Sequence, residues 1–129
     1  MGRRDSNDEE WKKLKEGVAK RDKSCRLVRI LSAKEALILK KNAPSLQLQK
    51  LDSAHVFAVG THPHMCYLKK NVVLLNRFSH ENLDNCRSPI TGNLITREER
   101  DSWWRKILGD VRYDELQRIA FGGLHERTE

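Results

Sequence analysis

The sequence predicts an α+β fold, a small two-stranded core that feeds a short polar helix and carries helices on both sides of it. Three observations predict it. Leu46–Leu51 alternates and leads into Asp52–Phe57, and residues 72–75, Val72-Val73-Leu74-Leu75, form an unbroken apolar run, so residues 47–57 and 72–75 read as strands. The second strand leads into a segment that carries His80 and Asp84 at i and i+4, a spacing that puts both side chains on one helical face. Capping boxes at Ser32/Glu35 and Thr96/Glu99 open helices before and after this core.

The first ten residues are polar and read as a disordered lead-in over 1–10. Asn7 or Asp8 can cap a first helix over about residues 8–20, with Trp11, Leu14 and Val18 on one face and Lys12, Lys13, Lys15 and Lys20 on the others. The stretch Cys25–Ile30 alternates and reads as a short strand or extended segment. A helix over residues 32–41 stops at Asn42-Ala43-Pro44-Ser45. After the 47–57 strand, Gly60 and Pro63 mark a loop with His62 and His64, read as exposed loop histidines. Cys66-Tyr67-Leu68 is expected to begin the return strand. Ser79 is expected to cap the polar helix, which ends near Asn85. The Thr96 helix runs to about Leu108 and is stopped by Gly109. A last helix is expected over about 113–120 and is ended by Gly122-Gly123. Trp103 and Trp104 are adjacent and cannot share one apolar face.

The 129 residues fit one domain. The low apolar and high charged fractions predict a small core. No run is long and apolar enough for a membrane span and no signal-peptide pattern opens the chain, so the expected location is cytoplasmic. Cys25, Cys66 and Cys86 are odd in number and lack close pairing, which argues against a disulfide framework and a compact zinc site. Charge is uneven: residues 1–50 hold 14 Lys and Arg against 7 Asp and Glu, and residues 51–129 hold 11 against 11. A basic excess on one half is the footprint expected of a polyanion binder.

A His on a strand facing a helix with two ligands can form a one-metal hydrolytic site. The cluster Asp52-Ser53-Ala54-His55-Val56, with Asn71, His80 and Asp84 following in order, resembles the HNH (ββα-metal) nuclease family. The Trp11 helix leading to Arg21-Asp22 and Cys25 resembles the way into many such domains. The resemblance implies a ββα-metal core in a single domain over residues 11–129, with an inserted helix at 32–41 and a C-terminal helical extension at 96–121. It implies His55 as general base, His80 and Asp84 as metal ligands, and Asn71 as the residue that holds the His55 loop by hydrogen bonds to its backbone. Thr91-Gly92-Asn93-Leu94 before a Trp-rich helix loosely resembles phage recombination nucleases of the NinG (Rap) type, which carry zinc cysteines absent here.

One departure stands out. Many family members carry a ligand directly before the base, where this chain has Ala54. Asp52 lies two residues earlier on the same strand face, opposite to His55, and is the candidate additional ligand. Arg77, just before the helix, can hold the substrate phosphate. Lys69, Lys70, Lys12 and Lys13 are candidates for contacting nucleic acid. The expected cofactor is a divalent metal, Mg²⁺ first, with Mn²⁺ or Ni²⁺ as alternatives. DNA is the expected partner, no membrane partner is expected, and a dimer is compatible with the sequence. The expected function is phosphodiester hydrolysis in DNA. Alternatives are a non-catalytic DNA-binding module on the same scaffold, which Ala54 favours, and a basic helical adaptor that uses Trp103 and Trp104 as protein-interface anchors.

Overall fold

The apolar run at residues 72–75 forms the centre of the molecule because helices cover both faces of the strand it makes. The computed structural model describes the backbone of residues 2–128 and the side chains of residues 9–122. Chain order is α1 (Gly2–Asp22), α2 (Arg26–Ile30), α3 (Ala33–Asn42), α4 (Ser45–Gln49), β1 (Leu51–His55), single 3-10 turns at Pro63–Met65 and Lys69–Asn71, β2 (Val72–Asn76), α5 (Arg77–Asp84), α6 (Arg97–Leu108) and α7 (Asp110–Thr128). The architecture is α+β.

β1 and β2 pair antiparallel, with Asp52 opposite Leu75, Ser53 opposite Leu74, Ala54 opposite Val73 and His55 opposite Val72. Successive residues of a strand face opposite ways. Ala54, Val73 and Leu75 therefore join the main core, with Leu27, Leu83, Trp104, Ile107 and Tyr113. Val72 and Leu74 face the other way, onto Val18 of α1, with Trp11 and Leu14 packed alongside.

A two-stranded sheet leaves an edge on β2, and here side chains satisfy it. Asp22 Oδ2 accepts from the Leu74 N–H at 2.9 Å, and Cys25 Sγ accepts from the Asn76 N–H at 3.2 Å. The Val72 carbonyl accepts from Arg21 and Arg112. Asp22 is fully buried and holds Arg21 at 2.8 Å and Arg26 at 3.7 Å. Burial pushes its carboxyl up, but the bonds from Arg21 and the Leu74 N–H and the two guanidinium charges outweigh it, so the net value falls below the ordinary 3.8. Burial, with the nearby charges of Arg21 and Arg26, pushes Arg112 down to about 10.

Both capping boxes form as the sequence predicts, at Ser32/Glu35 and Thr96/Glu99. Gly109 ends α6 at φ 91°, in the region that favours glycine. Several boundaries differ. The backbone over residues 2–10 belongs to α1 where a disordered lead-in is expected. Cys25–Ile30 is not a strand: Leu27 and Leu31 meet the core at i and i+4, so α2 wins over a six-residue alternation. The strand expected at 47–57 loses its start to α4, which Pro44 opens with its fixed φ. Residues 66–68 do not pair, and β2 starts only after the Lys69–Asn71 turn. Asn76, not Ser79, caps α5: its Oδ1 accepts from the Ser79 N–H at 2.8 Å, while Ser79 Oγ donates to the Pro89 carbonyl at 2.8 Å. α7 starts at Asp110 and runs through Gly122 and Gly123; glycine weakens a helix by about 1 kcal/mol without having to end it.

Asp22→Ala leaves the buried Leu74 N–H and two guanidinium groups without their partner. The expected cost is about 2–4 kcal/mol in urea unfolding at neutral pH. The depressed Asp22 value stabilises the fold above the ordinary carboxylate range, and that contribution fades as pH falls through the folded-state value. The variant's deficit should therefore shrink in acid, and a deficit below about 0.5 kcal/mol at pH 7 would refute the edge-cap role.

Candidate metal centre and basic groove

α5 begins immediately after β2, so the helix axis is fixed by Asn76, and Arg77, His80, Glu81 and Asp84 recur at i, i+3, i+4 and i+7 along one face. That face meets Asp52 on β1. His80 Nδ1 lies 3.0 Å from Asp52 Oδ2, and His80 Nε2 lies 3.1 Å from Asp84 Oδ2. Arg77 grips Asp52 with both arms, Nε to Oδ2 at 3.1 Å and Nη2 to Oδ1 at 2.9 Å. The hydrogen bond to Asp84 raises the His80 imidazole most, the one to Asp52 adds to it, and burial opposes both; the result is about 9. The Arg77 bond lowers Asp52 most, against its burial, with His80 adding to the effect.

Two donor atoms bound to one ion at about 2.1 Å each, at right angles, sit about 3 Å apart. The His80 Nε2 to Asp84 Oδ2 separation fits that edge. Asp52 bonds the other ring nitrogen, which points away from any ion held at Nε2. In this arrangement Asp52 orients the imidazole, as a carboxylate behind a ligating histidine does, and does not reach the same ion. Among the described residues no group of three His, Cys, Asp or Glu converges for metal binding. The side chains that could share one ion there are His80 and Asp84.

His55 lies on the opposite face of the sheet. Its ring stacks on Trp11 of α1, with centroids 5.0 Å apart and planes 15° apart, and its Nε2 lies 2.9 Å from the Cys66 carbonyl. A carbonyl only accepts, so in the neutral ring Nε2 carries the proton and Nδ1 keeps a lone pair in the ring plane. Asn71 is fully buried: its Oδ1 accepts from the Phe57 N–H at 2.8 Å, and its Nδ2 donates to the Phe57 carbonyl at 3.0 Å and the Met65 carbonyl at 3.3 Å. Its own carbonyl accepts from the Val56 N–H at 2.8 Å. The segment that follows His55 is thereby held from both sides.

Between α1 and the sheet runs an open groove of about 830 Å³, lined by the basic Lys12, Lys15, Lys23 and Arg77, by the acidic Glu16, Asp52 and Glu81, and by Trp11 and His80, but not by His55. Lys12, Lys15 and Ala19 recur at i, i+3 and i+7 of α1, a stripe the helical period shows, whereas Lys23 lies just past the helix at φ 66° and its place beside the groove has no signal in the sequence. Lys13 is exposed but does not line the groove. Lys70 pairs with Glu115 of α7 at 2.7 Å, and Lys69 lies along Gly17 of α1. His62 packs edge-on to Phe57 and Phe121, and His64 Nε2 lies 3.3 Å from the Ile119 carbonyl, both away from the groove. Cys25, Cys66 and Cys86 are free thiols. Trp104 is in the core and Trp103 half-buried under Lys106. No helix among the described residues is long and apolar enough to cross a membrane.

No family model matches the chain, and no match to it was found among curated proteins or solved structures.

In the metal-free protein His80 holds a proton that the unfolded chain releases near 6.5. The stabilisation is complete below about pH 6.5 and is lost as pH rises through about 9. Urea unfolding in EDTA should show wild type losing on the order of 2 kcal/mol more than His80→Gln between pH 6 and 9.5. Parallel pH profiles would show that the two carboxylates do not hold His80 charged.

Proposed function

We propose that the chain is a metal-dependent endonuclease that hydrolyses phosphodiester bonds in DNA with a single divalent ion on a ββα core. The observation that supports this reading most is the Asp52–His80–Asp84 chain at the rim of a lysine-lined groove. His80 Nε2 and Asp84 would hold the ion, and Asp52 would fix the imidazole from behind. An ion bound there supplies charge neutralisation for the phosphoryl oxygens and the leaving oxygen. Mg²⁺, Mn²⁺ and Ni²⁺ all suit a set of one imidazole, one carboxylate and water. Lys12, Lys15 and Lys23 attract the phosphate backbone into the groove, and Arg77 keeps Asp52 charged and in place.

His55 is the candidate general base. Its Nε2 is anchored on a carbonyl, which leaves Nδ1 as the acceptor that base catalysis needs. The Trp11 stack covers the ring face, whereas the lone pair lies in the ring plane.

A second reading, a non-catalytic DNA-binding module, is favoured by Ala54, which fills the position before His55 and is fully buried, and by the absence of His55 from the groove lining. Nicking of supercoiled plasmid separates the two. Wild type should cut with at least one of Mg²⁺, Mn²⁺ or Ni²⁺ and not in EDTA. His55→Ala should fall by about 10²–10⁴-fold while still binding DNA, and His80→Ala should not cut. Binding without cutting under any metal would favour the module, and wild-type cutting by His55→Ala would remove the base assignment.

The groove makes a separate prediction. Replacing Lys12, Lys15 and Lys23 together by Ala should flatten the slope of log affinity against log salt by about 0.9 for each phosphate that the lysines no longer neutralise. An unchanged slope would place the DNA elsewhere on the surface.

A further inference from the structure

The charges along the groove do not match a duplex. B-form DNA carries one negative charge for about every 1.7 Å of its axis. Arg77 is taken up by Asp52, which leaves Lys12, Lys15 and Lys23 to face the carboxylates of Glu16 and Glu81. Attraction of phosphates to so mixed a lining is weak, and an occupant needs a second kind of contact. Apolar surface supplies one. Leu51 is 44% exposed and lines the groove, and so does the half-buried Trp11.

Trp11 stands between His55 and the groove. The imidazole covers one face of the indole, with centroids 5.0 Å apart and planes 15° apart, yet His55 is absent from the groove lining. What the groove meets is therefore the part of the indole that His55 leaves uncovered. The Lys15 ammonium, one turn along α1, lies 5.7 Å from the ring centroid. Lys15 is exposed, so its flexible stem can move aside while the charged head stays in water. An aromatic surface with lysines on the same helix, open to a groove, is the combination that binds single strands, where bases stack and phosphates are neutralised alongside.

We propose that the groove takes an unpaired segment of a DNA strand, with one base stacked on the Trp11 indole and the flanking phosphates on Lys12 and Lys15. The inference rests on the nucleic-acid reading above and names its substrate class. Inside a duplex the flat faces of a base are covered by its neighbours, and only an unpaired base has a face to offer. Every base has such a face, so the site selects for unpaired strand and not for sequence. The indole that carries His55 on one side then carries a substrate base as well, which sets the register of the strand against the imidazole. Asp52 and His80 line the same groove, so the neighbouring phosphates run along the rim where these two side chains meet.

The test is a titration of the full chain in EDTA, where no strand is cut, with a labelled mixed-sequence dodecanucleotide and with the same strand annealed to its complement. Anisotropy of the label gives the affinities. Tryptophan emission gives the contact, and subtracting the emission of Trp11→Phe isolates Trp11 from Trp103 and Trp104. The single strand should bind about tenfold more tightly than the duplex and quench Trp11 saturably. Trp11→Leu should lose about tenfold in single-strand affinity and keep its duplex affinity, whereas Trp11→Phe, which retains a ring, should keep most of both. If Trp11→Leu does not fold, the wild-type preference and the Trp11 quenching decide the matter. The proposal is overturned if strand and duplex bind equally, if the strand saturates the protein without changing Trp11 emission, or if folded Trp11→Leu binds the strand like wild type. No binding of either DNA also overturns it, and plasmid nicking with metal then shows what else fails: cutting leaves the nuclease reading standing, and its absence removes both.

Discussion

Everything in this fold hangs on the free edge of β2. A two-stranded ribbon is marginal by itself, and the backbone groups of Val72, Leu74 and Asn76 on the side away from β1 need partners. Among the described residues no third strand supplies them. Asp22 and Arg21 at the end of α1, Cys25 at the start of α2 and Arg112 of α7 do so instead. Each of these bonds joins residues about 40 to 52 positions apart. The same few contacts that complete the sheet therefore also decide where α1, α2 and α7 sit. The buried Asp22 carboxylate matters most, since it serves the Leu74 N–H and two arginines at once.

Once α1 is fixed at its C-terminal end, the groove follows. Val18 and Leu14 seat the helix on Val72 and Leu74, while Lys12, Lys15 and Lys23 are turned toward the rim where Asp52, Arg77 and His80 meet. Strand alternation then divides the chemistry. His55 faces α1 and Asp52 faces α5, so the candidate base and the candidate metal centre come from opposite faces of β1. The groove runs along the rim between them, and Trp11 touches both, as the stacking partner of His55 and as part of the groove wall.

What was legible in the sequence was local. Ser32 with Glu35 and Thr96 with Glu99 form their capping boxes because a span of four residues contains both donors and both acceptors. His80 and Asp84 meet because one helical turn brings them together. The apolar run at 72–75 could only be buried. The strand read at Cys25–Ile30 failed because a short alternation also fits a helix that buries Leu27 and Leu31. The edge caps were invisible, since nothing near Asp22 or Cys25 announces a backbone partner some fifty residues away. Asp52 was found as a residue of the site, but its place on Nδ1 rather than beside Asp84 depends on which way the His80 ring turns, and Arg77 helps decide that by fixing the carboxylate.

Asn71 fixes the segment that follows His55. Its side chain meets both backbone groups of Phe57, and its carbonyl meets Val56. An amide that satisfies donor and acceptor of the same residue leaves that residue almost no freedom, since any rotation breaks one bond to keep the other. The segment therefore cannot present His55 to one side without presenting Phe57 to the other. A bare loop of polar residues would let a histidine drift, whereas a catalytic imidazole must be held to within a fraction of an ångström of its partner. The turn at Lys69–Asn71, which delays β2 beyond residues 66–68, is what brings the Asn71 amide under the loop. The expected return strand gives way to a turn, and the buried Asn71 amide in that turn makes three hydrogen bonds to the backbone of Phe57 and Met65.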